Sequence, residues 1–363
     1  MPGSIDEAGG AVETTIHEVA QRAGVSTATV SRSLRGRSGV SLETAKRVRE
    51  IAEQMGYSAS PLASRLASGH TRTVAVVLPY LDRWFYGEIL GAAEPILRGA
   101  GLDLLLYRVG DADARHAHFS FQRLRKRVDG VLLVTLGLTD VEVEALRALG
   151  VPVGLVGFDV EGFESVRIDD VAAASTAVQH LLNLGHEQIG LICGNEEDQS
   201  MFTVARDRRF GYRAALEAAG IAPDPDLEIS ADFSAHGGLK AAAQLFGRRR
   251  RPSAIFAESD EMAFGAMSLL HRLGRRVPDD VSVIGFDDHP MAEVLDLTTM
   301  CQRVAEQGRL IAVRMVAALD DPRGAGTEPI HLAPELVVRK STAARHTTRR
   351  RAPPGALYAK KAG

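Results

Sequence analysis

The chain has 363 residues, 45% hydrophobic and 25% charged, with a formal net charge of −3. Single cores rarely grow past roughly 250 residues, so two or three folding units are expected. With only Cys193 and Cys301, the chain cannot build a disulfide scaffold or a zinc site of three or four cysteines. The polar, acidic stretch Met1–Val12 does not read as a secretory signal, and no apolar run approaches the ~20 residues of a membrane helix. The expectation is a cytoplasmic protein with no membrane partner.

Charge is spread unevenly. Thr15–Arg72 carries nine basic residues against four acidic ones, and residues 340–363 add seven basic residues and no acid. Thr73–Arg339 is left with a net charge of −12. A basic head on an acidic body is a pattern in which the head alone meets phosphate. Charge by itself does not separate that reading from ordinary solvated helices.

Spacing does more. Thr14 or Thr15 can cap a first helix, with Glu18 placed for a capping box after Thr15. That helix, Ile16–Arg22, should stop at Gly24, which can adopt the left-handed conformation. Ser26 or Thr27 caps a second helix that runs to Leu34. A third, Leu42–Met55, places Ala45, Val48, Ile51, Ala52 and Met55 on one face. Ala20, Gly24, Val25 and Val30 have the spacing of a helix-turn-helix, whose second helix offers its N-terminal side chains to the major groove. Here those are Thr27, Ala28, Thr29, Ser31 and Arg32. A generic helical hairpin is the plain alternative.

The unbroken run Thr15–Arg32 resembles the head of the LacI/GalR family of bacterial transcription regulators. By that resemblance Thr27, Ala28 and Arg32 read bases, while Ser26, Thr29 and Ser31 contact phosphate. After Tyr57 comes a linker, rich in small and polar residues, that extends to Arg72. By the same resemblance it holds a hinge helix whose Leu66 wedges into the minor groove. Ala59-Ser60 stands where family hinges usually carry Pro-Asn.

Downstream, short apolar runs alternate with amphipathic stretches. The strand-like runs are Thr73–Leu78, Leu102–Tyr107, Gly130–Thr135, Val153–Val156, Ile189–Cys193, Ala254–Ala257 and Val281–Phe286. The helical stretches are Gly87–Gly99, His116–Arg127, Val141–Leu149, Ala172–Leu184, Arg208–Ala219, Gly238–Gly247 and Met262–Leu273. Such alternation predicts parallel sheets covered on both faces, and the count fits two similar α/β lobes. Val277–Asp288 and Leu336–Thr342 extend the family resemblance across the body.

The expected fold is thus α/β: an all-α helix-turn-helix head (13–57), a hinge and linker (58–72), and a two-lobed, periplasmic-binding-protein-like body of doubly wound parallel sheets (73–342). Lobe 1 should hold about 73–169 and 301–329, and lobe 2 about 170–300 and 330–342. A disordered basic tail, 343–363, would follow.

In such folds ligands sit in the crevice beyond the carboxyl ends of the strands. The cluster Arg83, Trp84, Phe85 and Tyr86 follows the first strand and contains the only tryptophan. Aromatic faces suit sugar C–H surfaces, although a hydrophobic plug would look the same. By resemblance Phe85 and Tyr86 contact ligand, Arg206 is the ligand-binding arginine, Phe233 an aromatic platform and Asp287 an acceptor for hydroxyls. Ser259 replaces the family's usual asparagine. Gly157 stands where some members have an acid, with Asp159 nearby as a substitute.

Asp111, Asp113, His116 and His118 invite a metal claim, but the aspartates fit as helix caps and the histidines, two residues apart, fall on different faces; no cofactor is expected. Arg248–Arg251 fits a phosphate site or a solvated helix end. No P-loop, nucleophile elbow or metalloprotease motif is present, so an enzyme is not expected. A transport-type sugar-binding protein would explain only the body. The reading that covers the whole chain is a nucleoid-associated repressor of sugar-utilisation genes. It would be a homodimer on a palindromic operator, controlled by a mono- or disaccharide held between the lobes. No heptad pattern follows Thr342, so a tetramer is not expected.

Overall fold

A computed structural model of the chain describes residues 14–34, 39–57, 70–110, 120–195, 203–321 and 328–345. The chain divides into two compact units, Met1–Thr71 and Arg72–Gly363.

In the first unit, α1 (Ile16–Ala23), α2 (Thr27–Leu34) and α3 (Leu42–Gln54) close around Val19, Ala20, Val30, Val48 and Ala52. The Thr15–Glu18 capping box forms in both directions, and Gly24 ends α1 with φ 66°. Ser26 caps α2, its Oγ accepting the Thr29 N–H at 3.2 Å. Val25, on the turn between α1 and α2, packs against this core.

The second unit begins with β1 (Thr73–Leu78), α4 (Trp84–Gly99), β2 (Asp103–Arg108), β3 (Gly130–Val134), α5 (Asp140–Arg147), β4 (Val153–Val156) and β5 (Glu164–Ile168). A second series follows: α6 (Asp170–Asn183), β6 (Ile189–Gly194), α7 (Thr203–Ala218), β7 (Glu228–Ala231), α8 (Ala235–Gly247), β8 (Ala254–Ala257), α9 (Asp260–Arg272), β9 (Ser282–Asp287), α10 (Pro290–Val294) and β10 (Thr298–Cys301). The described body ends with α11 (Val304–Asp320), β11 (Ile330–Leu332) and β12 (Glu335–Val337).

Two six-stranded sheets result, in the orders β11-β5-β4-β3-β1-β2 and β12-β10-β9-β8-β6-β7. Every neighbouring pair is parallel except β10 and β12. Alternate residues of each strand enter opposite cores. Val74, Val76 and Leu78 pack beneath α4 and α11, while Ala75 and Val77 face Phe121 and Leu146. In the second sheet Leu191 and Phe256 join Tyr212 of α7, and Ile192 and Ile255 join Leu245 of α8. Burial on both faces explains why these strands read as continuous apolar runs.

The chain crosses between lobes three times: after Ile168, between Cys301 and Val304, and between Leu332 and Glu335. The third crossing corrects the expected lobe boundary, because Ile330–Leu332 pairs with Val166–Ile168 of lobe 1 and only then does the chain return. Cys301 likewise belongs to lobe 2, opposite Asp287. The expected tail also starts too early. The Ala343 carbonyl accepts from His186 Nε2 at 3.0 Å, and the Arg345 N–H donates to Leu184, so lobe 2 extends through Arg345. Of the helix expected over His116–Arg127, the described part from 120 onward is a 3-10 turn at Phe121–Leu124, with Lys126 beyond it at φ 62°. Residues 116–119, with Asp111 and Asp113, lie outside the described residues.

Candidate functional site

On the head, Ser26, Ala28 and Arg32 are exposed, and Thr27, Thr29 and Ser31 half-buried, along the start and one side of α2. Val30 between them is fully buried. The Ser26 and Thr29 hydroxyls share a hydrogen bond of 2.9 Å. The helix thus shows short polar side chains and one guanidinium, as close approach to base edges and phosphates requires. Leu66 lies outside the described residues.

In the body, the carboxyl ends of both sheets border one crevice of about 660 Å³, its open mouth included. This is a size suited to a small ligand. Lobe 1 contributes Tyr80 and Arg83 from the turn after β1, Phe85 and Tyr86 from the first turn of α4, Thr135 after β3 and Gly157 after β4. Lobe 2 contributes Phe233 after β7, Ser259 after β8 and Asp287 at the end of β9. Backbone strain gathers here. Thr135, Phe233 and Asp287 have φ of 47°, 57° and 127°, a conformation that non-glycine residues hold only when their surroundings demand it. Gly194, ending β6, is required because a Cβ there would sit 2.1 Å from the Phe233 ring. The aromatic wall is fixed by its own contacts. Phe85 meets Tyr86 edge-on at 5.3 Å, and the Tyr86 and Thr135 hydroxyls hydrogen-bond at 2.9 Å.

Opposite this wall is a buried polar floor. Arg208 of α7 donates through Nε to Asp170 at 2.8 Å and through Nη1 to the Glu258 carbonyl, with its guanidinium 3.6 Å above the Phe286 ring. Burial raises the Asp170 carboxyl, and Arg208 offsets part of that. Asp287 is pushed up to about 7, first by burial and further by Glu261 and Asp170, against the pull of Arg208 and of a hydrogen bond from Gln302. Asp260 is raised by burial and by Asp287. It holds the structure together, accepting from the Thr299 hydroxyl at 2.6 Å and the His289 N–H at 2.8 Å. The floor therefore offers a fixed cation beside carboxylates that burial disfavours in ionised form, and ligand hydroxyls can satisfy both.

Six of the expected crevice residues line it: Arg83, Phe85, Tyr86, Phe233, Ser259 and Asp287. Arg206 does not. Its side chain is 65% exposed and pairs with Asp207 at 3.0 Å, whereas the Arg208 side chain is 5% exposed and lines the crevice. Two residues along a helix is about 200°, so the two arginines occupy nearly opposite faces of α7. Trp84 also stands aside, its ring 4.7 Å from that of His289. Asp159 is occupied elsewhere, accepting from Ser165 at 2.7 Å and Arg167 at 3.0 Å. Ser259 caps α9 through the Met262 N–H as well as facing the crevice. Arg208, Asp170, Thr135, Glu261, Gln302 and Gln307 are crevice residues that sequence reasoning missed.

Arg83 spans the mouth, donating from Nε and Nη2 to the Asp232 carbonyl at 3.4 Å. The Trp84 N–H donates to Glu261 nearby. The basic run near Pro252 is taken up by acids, Arg248 with Asp226 and Arg250 with Asp224. Among the described residues no cluster of three histidines, cysteines or acids is placed to hold a metal ion, and no helix is long and apolar enough to cross a membrane.

Fold and site together define a helix-turn-helix protein with a two-lobed, periplasmic-binding-protein-like body. Residues 15–60 match the profile "Bacterial regulatory proteins, lacI family", and residues 178–342 match "Periplasmic binding protein-like domain". The chain is 35% identical over 336 residues to the HTH-type transcriptional repressor CytR of Escherichia coli K12, covering 91% of this chain and 96% of that one. Among solved structures, the complex of the transcriptional regulator CelR with cellobiose is 31% identical with a TM-score of 0.65, covering 91% of this chain and all of the other. A lac repressor dimer bound to operator and the anti-inducer ONPF is 27% identical with a TM-score of 0.79, covering 92% and 100%. The chain belongs to the lacI family of bacterial regulatory proteins, and it is a transcriptional regulator rather than an enzyme.

Proposed function

We propose that this regulator is a homodimeric repressor of sugar-utilisation genes, acting on a palindromic operator at the nucleoid and controlled by a small carbohydrate in the interlobe crevice. One observation carries the carbohydrate reading: an aromatic wall from lobe 1 faces a buried guanidinium–carboxylate floor from lobe 2. Stacking surface and hydroxyl partners converge there from opposite lobes, so a polyhydroxylated ring is held by both. The cellobiose complex of a relative supports the same class of ligand, and the operator-bound dimer of another supports the assembly.

On the head, Thr27, Ala28 and Arg32 read bases, Ser26, Thr29 and Ser31 hold phosphates, and Leu66 wedges the centre of the site. In the crevice Arg208 replaces Arg206 as the ligand-facing arginine, beside Phe85, Tyr86, Phe233, Ser259 and Asp287, with Arg83 at the mouth. Ligand acts by linkage: it shifts operator affinity by its differential affinity for the two lobe arrangements, typically about 5–150-fold.

The test selects an operator from random duplexes, then titrates it with and without a panel of mono- and disaccharides. One sugar should raise the melting temperature of the protein and move operator affinity within that range. A panel that changes neither would sink the carbohydrate reading.

A further inference from the structure

Asp287 ends β9 in lobe 2 with its carboxylate in the crevice. Its Oδ1 accepts a hydrogen bond of 2.5 Å from Gln302 Nε2. Gln302 stands on the second crossing, between β10 of lobe 2 and α11 of lobe 1. Its own carbonyl accepts from Gln307 Nε2 at 2.7 Å, and its Oε1 receives a weaker contact from the same group at 3.4 Å. Gln302 is 4% exposed and Gln307 1%. Buried amides are costly unless their geometry is satisfied, so this pair is held for a reason.

The far end of this chain of bonds is rigid. Gln307 sits in the first turn of α11, beside Gly308, where a Cβ would come within 2.5 Å of the Ile89 carbonyl of α4. Further along, Ile311 and Met315 pack into the core beneath the first sheet, and Arg314 reaches Glu164 of β5 at 2.6 Å. The crossing itself is bent where it enters α11, with Arg303 at φ 53°.

We propose that Gln302 and Gln307 are positioning residues that fix the Asp287 carboxylate and tie it, across the interlobe crossing, to the first turn of α11. A ligand that takes hold of Asp287 thereby pulls on an element of the other lobe. This rests on the crevice being the effector site, but the relay itself is a property of the ligand-free protein and is tested there.

The charged groups around Asp287 are Arg208 of α7, Asp170 of α6, Glu261 and Asp260 of α9, and Asp288 beside it. Gln302 donates to the ionised form, so loosening Gln302 must raise the midpoint at which Asp287 titrates. The experiment follows Asp287 by carboxyl carbon NMR in the full-length protein labelled at aspartate, with Asp287→Asn identifying the signal. Gln302→Met should raise the midpoint by about one pH unit, the scale of losing a hydrogen bond to a charged group. Gln307→Met and Gln307→Leu, which leave Gln302 in place, should raise it in the same direction by less. An unmoved midpoint in both folded Gln307 variants would overturn the relay. Operator release by cellobiose and by ribose is measured alongside. If neither of these sugars nor any other of the panel acts on the wild type while the Gln307 midpoint still moves, the carbohydrate reading fails and the relay stands.

Discussion

Arg206 and Arg208 differ by two positions in sequence and by almost everything else. Arg208 holds Asp170 inside the protein, so Arg208→Ala leaves a buried carboxylate without its cation. That variant should lose about 3–5 kcal/mol of stability by urea unfolding and lose the effector response. Arg206→Ala removes an exposed partner of Asp207 and should change stability by no more than about 0.5 kcal/mol, with the response intact. Asp287 makes a second prediction. Its folded-state value is raised to about 7 while its ordinary value is 3.8, so its contribution is fully present below pH 4 and is lost as pH rises towards 7 and above. Asp287→Asn should therefore gain stability relative to wild type as pH rises from about 4 to about 7, and hold level above that. A constant difference across that range would show that Asp287 does not titrate in the folded protein.

At the scale of elements, the helices and strands were legible where one face or both faces are apolar. The head's capping box, its turn glycine and its three helices follow from residue spacing alone. The buried crevice arginine, which the sequence reading missed in favour of Arg206, nevertheless left a signal in the helix phase. Ala205, Arg208, Tyr212 and Ala215 share the buried face of α7, so a charged residue in that phase had to serve a buried partner. Gln307 gives the same signal, sharing the buried face of α11 with Val304 and Ile311. What sequence could not show is which short strand joins which sheet. Ile330–Leu332 and Glu335–Val337 are three residues each and only partly buried, and their partners lie far away in the chain. Two further tests belong here. Arg32→Ala should weaken operator binding by about 1–3 kcal/mol and flatten preference at one base pair per half-site, as read by binding to a mutated operator series. Gly194→Ala, by pushing Phe233 off its seat, should raise the half-maximal sugar concentration without altering operator affinity in the absence of ligand.

For the whole molecule, the contrast between a +5 head segment and a −12 body predicts that operator affinity falls steeply with salt. The slope of log affinity against log salt should be the same for wild type and Arg208→Ala, because Arg208 is buried against Asp170 and out of reach of phosphate. Light scattering at micromolar concentration should give a dimer, and a stable tetramer would contradict the assembly proposed for this chain.

The three crossings also dictate an order of events during synthesis. The described helices of the head lie within Ile16–Gln54, and their contacts are local, so the head can fold while most of the chain is still unmade. Neither lobe has that freedom. The first sheet waits for Ile330–Leu332 to add its last edge strand, and the second waits for Glu335–Val337, almost three hundred residues after the head helices. A nascent chain on the ribosome therefore carries a finished reading head well before it carries a finished sensor. A chain stopped at Asp321 would keep the head and leave β5 and β10, inner strands of the complete sheets, as new edges, the kind of exposed strand that recruits other chains.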